Sequence, residues 1–492
     1  MPPRGVIAAG HPVTAQTGAD VLRAGGNAVD AAVAAVCASF TAEPLLTGLG
    51  AGGYMLVADP GVEPVLIDFF VEAPGRGADA QARAELVPVD VSFGDAIQRF
   101  HIGAASVGCY GLPAGLAEAT ARFGSLPLAD LVVPGAALAR DGVALSHEQA
   151  YVVEILDRIV MATPECAALF APGGSLLREG QVFRNPELGD ALERLGRDGP
   201  APFYTGDVAA AVTGWLEGAG SLLTAADLAA YEAVDRAPVR VAYRGREVVL
   251  NPPPSAGGTL IAYALALLER APGPADPLAL VTAMGAAQDE RTPEFLEGLA
   301  EPGFLDRFMA ARLGSTTHLS VLDGEGRGAS VTCSNGEGAG IVVPGTGIHL
   351  NNMLGEHDLN PLGFHRHPPG RRMPSMMCPA AVLEDGRPEL VLGSGGSNRI
   401  RSAITQTIVG VIDRHQQVAA AIEAPRVHFE DGVVYHEPDA DVTGLAEAGW
   451  TLAPFGARNL FFGGVQAVRR DPGTGELSGG ADPRRGGAVV VA

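Results

Sequence analysis

Two adjacent threonines stand in Ser315-Thr316-Thr317-His318-Leu319-Ser320, where a loose, charged stretch gives way to an alternating apolar run. A threonine hydroxyl is a weak nucleophile and needs a base within reach. The chain has 11 histidines, yet no sequence pattern ties one of them to a threonine. The chain itself offers another base. If the peptide bond before Thr316 breaks, the freed α-amine, with an ordinary pKa of about 7.7–8.0, sits on the same residue as the hydroxyl. Taken alone, the TTH triplet reads more simply as a β-branched strand opening. A second segment, GSGGS (393–397), offers consecutive backbone N–H groups that can face developing negative charge, because glycine lets the main chain approach closely. In isolation it is equally a flexible turn.

Other chemistries are excluded or weakly supported. No GxSxG elbow occurs, and Ser394 in LGSGG lacks the leading glycine. GLGAGG (48–53) matches a dinucleotide fingerprint, but it precedes a strand instead of following one, so close backbone packing is the better reading. The HRH triplet (365–367) has no HExxH helix or carboxylate partner, and no metal or cofactor is expected. All 34 basic residues are arginine, which removes lysine Schiff-base chemistry and the Walker A loop. The five cysteines (Cys37, Cys109, Cys166, Cys333, Cys378) are scattered without a CxxC and read as buried thiols.

The elements that must position these residues follow from patterning. At 492 residues, 47% hydrophobic and 18% charged, the chain can build a large core. The net charge of −22 argues against nucleic-acid or anionic-membrane partners. No stretch approaches the roughly 18 unbroken apolar residues of a membrane helix, and no apolar secretion core opens the chain. The expected compartment is the cytoplasm, or the periplasm or exterior for a trimmed chain. Residues 14–41 read as two helices, with threonine caps on the first and Asn27 capping the second. Hairpins are expected at 54–70, 317–335 and 461–483, strands at 239–254, and residues 111–235 read as mostly helical. Residues from about 271 to 315 read as an exposed, cleavable connection. Hairpins dominate the strand pairs, so the sheets should be mainly antiparallel in a layered α/β arrangement.

In order and spacing, a series of segments resembles the γ-glutamyltranspeptidase family: GGNAVDAAVA (25–34), GLGAGGYML (48–56), ARDG (139–142), FYTGD (203–207), TAADLAAY (224–231), NPPPSAGG (251–258), TTHLSVLDGEG (316–326), LNNML (350–354), GSGGSNRI (393–400), APRVH (424–428) and ADPR (481–484). The resemblance runs from about residue 5 to 485. It implies the Ntn-hydrolase αββα sandwich and self-cleavage between Ser315 and Thr316 into a large subunit, 1–315, and a small one, 316–492. Thr316 would then be nucleophile and α-amine base, with Thr317 and Ser334 beside it and Gly395 and Gly396 as the oxyanion hole, Ser397 contributing if the register shifts by one.

Substrate recognition departs from the family pattern. Phe70 stands where an arginine usually grips the α-carboxylate of a γ-glutamyl group, and a phenyl ring cannot pair with a carboxylate. PSMMCP carries Ser375 and Met376 where the family has paired serines, and Met353 stands where glutamine is frequent. Asn335 and Glu356 match the amine-binding side, and Arg76 lies close enough in sequence to replace the missing arginine, although a surface role is its plainer reading. The resemblance therefore implies an acyl-enzyme reaction on a small amide or peptide, such as glutathione, with water or an amine as acceptor. A related amidohydrolase or acylase with another acyl donor is the alternative, and a non-catalytic binding protein a third reading. Pairing of the cleaved protomers is left open.

Overall fold

The computed structural model describes residues 3–78, 85–92, 97–289, 317–360 and 363–492. Two sheets stack face to face at its centre. The larger has seven strands in the order Ala488–Val491, Gly5–Ala9, Thr317–Asp323, Gly328–Ser334, Gly52–Ala58, Val65–Phe69, Val234–Arg236. The smaller has six, in the order Leu477–Ala481, Gly464–Arg470, Arg387–Gly395, Ala380–Glu384, Arg246–Leu250, Val239–Tyr243. Every neighbouring pair in both sheets is antiparallel.

Period-two alternation assigns each strand's two faces. In Gly5–Ala9, Ile7 and Ala9 point into a core shared with the helices Pro12–Arg23 and Ala28–Ala42, while Val6 and Ala8 meet Leu322, Val391 and Val468 between the sheets. The smaller sheet buries its outer face under Gly257–Arg270, Pro277–Asp289 and Arg399–Ile408. Helix, sheet, sheet, helix is the αββα sandwich expected above.

Local chemistry explains most boundaries. Asn27 and Asp30 form a reciprocal capping box: the Asn27 side chain accepts from the Val29 and Asp30 N–H groups, and Asp30 accepts from the Asn27 N–H. The first helix differs from expectation. His11 caps it by accepting from the Val13 N–H at 3.2 Å, because Pro12 takes the first helical position and moves the start upstream of the threonines. The three expected hairpins form, and the strands read at 239–254 pair with each other as a fourth. The stretch read as loose from about 271 contains the helix Pro277–Asp289, held by buried Leu280, Val281, Met284 and Ala287. Gly53 lies inside a strand, where a Cβ would stand 2.4 Å from the Thr332 carbonyl oxygen, so GLGAGG serves close packing of chains.

Candidate active site

Ser315 and Thr316 lie outside the described residues, which resume at Thr317, the first residue of the Thr317–Asp323 strand. Thr317 donates its hydroxyl proton to the Glu43 carboxylate at 3.1 Å, and Thr14 donates to the same carboxylate at 3.3 Å. Glu43 ends the Ala28–Ala42 helix, and its carboxylate fits because residue 10 is glycine: a Cβ there would stand 2.3 Å from Glu43 Oε1. Burial pushes the Glu43 carboxyl up to about 7, against the pull of both threonine hydroxyls and the positive field of Arg485.

The next side chain on the strand turns to the opposite face. His318 packs on Gly393 of the second sheet so tightly that a Cβ at 393 would stand 2.3 Å from its ring. Its hydrogen bonds fix the tautomer. Ser320 donates its one proton to the Gln466 carbonyl at 3.0 Å, so it must accept from His318 Nε2–H at 2.8 Å. Nδ1 is then bare and accepts from Thr332 Oγ1 at 2.8 Å. Burial pushes the imidazole down to about 3. His318 is therefore a neutral spacer between sheets, and it brings the strand that follows Thr316 against the strand that ends in the glycine-rich turn.

That turn begins where Arg387–Gly395 leaves the sheet. Ser394 Oγ donates to the Gly395 carbonyl at 2.8 Å and accepts from the Gly464 N–H at 3.1 Å. Gly396 has φ +122°, and a Cβ there would stand 2.6 Å from Gly463 Cα, so only glycine fits. Ser397 follows with φ +56°, a strained value for a serine. Asn398 then leads into the helix Arg399–Ile408, whose positive N-terminal end points back at the turn. Close by lies Arg485, whose guanidinium burial and the neighbouring Arg399 pull down to about 10.

On the other side of Thr317, pairing with Cys333 sets Ser334 beside the start of the strand. Ser334 Oγ accepts from the Gly336 N–H at 2.8 Å. Gly336, at φ +65°, brings the chain against Asn352 and Glu356: a Cβ there would stand 2.1 Å and 2.3 Å from their side-chain oxygens. Asn335 donates to the His349 carbonyl at 3.3 Å, while its Oδ1 is buried and accepts no hydrogen bond from the described residues. Asn335, Asn352 and Glu356 thus form a buried polar wall next to Ser334.

The remaining candidates stand apart from this wall. Phe70 is fully buried, stacked on Tyr54 with ring centroids 5.5 Å apart, in an apolar cluster with Met353, Met373 and Met377. Ser375 accepts from the Met377 N–H at 2.9 Å and from Ser255 through its carbonyl, and Met376 lies in the core beneath Gly257–Arg270. Arg76 pairs with Glu72 at 3.0 Å. Sequence reasoning missed Glu43 and Arg485. The signal for the first was available: Glu43 is the only charged residue between Asp30 and Asp59.

Comparison with known proteins agrees with this geometry. The family model for gamma-glutamyltranspeptidase matches residues 14–282 and 285–492. Acylase ACY 1 proenzyme of Pseudomonas sp. (strain SE83) is 31% identical over 525 residues, spanning 99% of this chain and 93% of that protein. Glutathione hydrolase proenzyme of Escherichia coli (strain K12) is 31% identical over 537 residues, spanning 98% and 90%. The crystal structure of cephalosporin acylase from Bacillus halodurans superimposes with a TM-score of 0.84 at 26% identity, covering 99% of this chain and 96% of that one. With the motifs, the αββα layers and these matches in agreement, this chain is an enzyme of the gamma-glutamyltranspeptidase family.

Proposed function

We propose that the chain cleaves itself before Thr316 and then acts as an N-terminal-threonine amidohydrolase and acyltransferase on a γ-glutamyl-type amide. Thr316 Oγ attacks the amide carbonyl while its proton passes to the residue's own α-amine. The tetrahedral oxygen is met by backbone N–H groups of the Gly395–Ser397 turn and by the positive end of the Arg399–Ile408 helix. The C–N bond breaks, and the ammonium returns the proton to the departing amine. Water or an acceptor amine then attacks the ester, releasing the acyl group and restoring the hydroxyl. Thr317 and Ser334 flank the nucleophile, and Asn335 and Glu356 face the donor's ammonium group.

One observation carries this reading: His318, two residues after Thr316, is packed against Gly393, two residues before the turn. The histidine nearest in sequence is a poor base, since burial pushes it down to about 3 and its free lone pair is taken by Thr332. A second reading, an acylase with a donor other than γ-glutamyl, is favoured by the burial of Phe70 where an arginine anchor is expected, and by the acylases among the relatives.

Intact mass of the denatured protein is expected to give two species breaking between Ser315 and Thr316, and Thr316→Ala a single one; an uncut wild-type chain overturns the mechanism. Release of p-nitroaniline from γ-glutamyl-p-nitroanilide by the cleaved protein supports the first reading. Correct cleavage without release supports the second.

A further inference from the structure

Arg485 is the second arginine of ADPRR, in the short turn Pro483–Arg485. Its neighbour Arg484 is fully engaged by Glu437, Asp482 and two backbone carbonyls. Arg485 is not. Its Nε is buried without a hydrogen-bond partner, and its Nη2 reaches only the Leu460 carbonyl at 3.5 Å, the limit of hydrogen-bond distance. Among the described residues it has no ion pair.

A glycine at 464 lets this side chain lie where it does, beside the Gly396 turn. A Cβ on Gly464 would meet its Cδ at 2.3 Å, and a Cβ on Gly396 would stand 3.4 Å from Nη2. The guanidinium therefore lies against the turn assigned to the oxyanion. Glu43 and Glu337 attract it and Arg399 repels it, but neither carboxylate closes on it. Arg485 is only half-buried, but its Nε is closed off from water, and a guanidinium nitrogen withdrawn from water without an acceptor is costly. An arginine left short of partners beside a catalytic turn is poised for an anion that arrives with the substrate. Backbone N–H groups and a helix end already face the tetrahedral oxygen, whereas the usual carboxylate anchor is replaced by buried Phe70.

We propose that Arg485 is a specificity-determining residue that binds the distal carboxylate of the acyl donor. This rests on the acyl transfer at Thr316 proposed above. A planar fork of N–H donors suits a carboxylate and discriminates it from an uncharged isostere.

The test compares kcat/KM for γ-glutamyl-p-nitroanilide with that for its α-carboxamide, and repeats the pair with the same donors lacking the amine. The wild type should prefer the carboxylate member. Arg485→Leu should reduce that preference by about 10–100-fold, and Arg485→Lys should keep part of it because the charge remains. Intact mass of each variant verifies self-cleavage. Equal losses on both members of a pair, or no loss, overturn the assignment and leave Arg485 a structural or oxyanion-stabilising residue. A cleaved wild type that turns over neither pair overturns the parent reading instead, which keeps the two failures distinct.

Discussion

Glu43 is the residue at which position and protonation are most closely linked. Its carboxyl is raised from 4.5 to about 7 chiefly by burial. A raised carboxyl pKa means that the folded state holds a proton which the unfolded chain has lost, so this contribution to stability is fully present below about pH 4.5 and disappears as pH rises through about 7. The whole effect is on the order of 3 kcal/mol. In a Thr316→Ala background, where no new α-amine enters, Glu43→Gln should lack this slope. Melting temperatures from pH 5 to 8 should therefore show the variant gaining on its parent as pH rises, and parallel curves would remove the assignment. The two hydroxyls on this carboxylate, from Thr14 and Thr317, tie the first helix to the start of the Thr317–Asp323 strand.

Elements place such residues by alternation. On Thr317–Asp323, odd positions feed the helix-side core through Leu319 and Val321, while His318 packs on Gly393 and Ser320 hydrogen-bonds to Gln466 across the sheet–sheet gap. A one-residue slip would exchange the two sets and put the imidazole among alanines. The Val65–Phe69 strand delivers Phe70 into a closed apolar cluster, and its carbonyl is already bonded by Tyr231 and Arg372. Sequence comparison suggests Phe70→Arg as a way to restore a carboxylate anchor. Packing argues otherwise: the new guanidinium would be buried beside Arg372, with Asp68 and Glu72 already engaged by arginines. The expected result is a loss of about 3 kcal/mol or more without a gain on γ-glutamyl-p-nitroanilide. A stable variant with raised turnover would mean that this cluster opens to substrate.

At the scale of the molecule, a cut before Thr316 would divide the covalent chain and leave both sheets shared. In the seven-stranded sheet the strands after the cut sit at three positions among four from before it, and in the six-stranded sheet the junction falls between Arg246–Leu250 and Ala380–Glu384. The cleaved fragments should co-elute in native size-exclusion chromatography and separate only on unfolding; separation under native conditions would contradict the shared sheets. The sequence by itself determined the hairpins, the Asn27 cap and the layered fold class, because each is written in neighbouring residues or in a fixed alternation. Local patterning offers no means of pairing residues that lie from tens to hundreds of positions apart. His318 meets Gly393 only when the two sheets stack, Glu43 meets Thr317 when its helix packs on the larger sheet, and Arg485 meets Gly464 and Gly396 when the strands of the smaller sheet pair. Burial, which raises one carboxyl and silences one imidazole, exists only in that stacked state, since desolvation belongs to the surrounding fold and has no signature in local sequence.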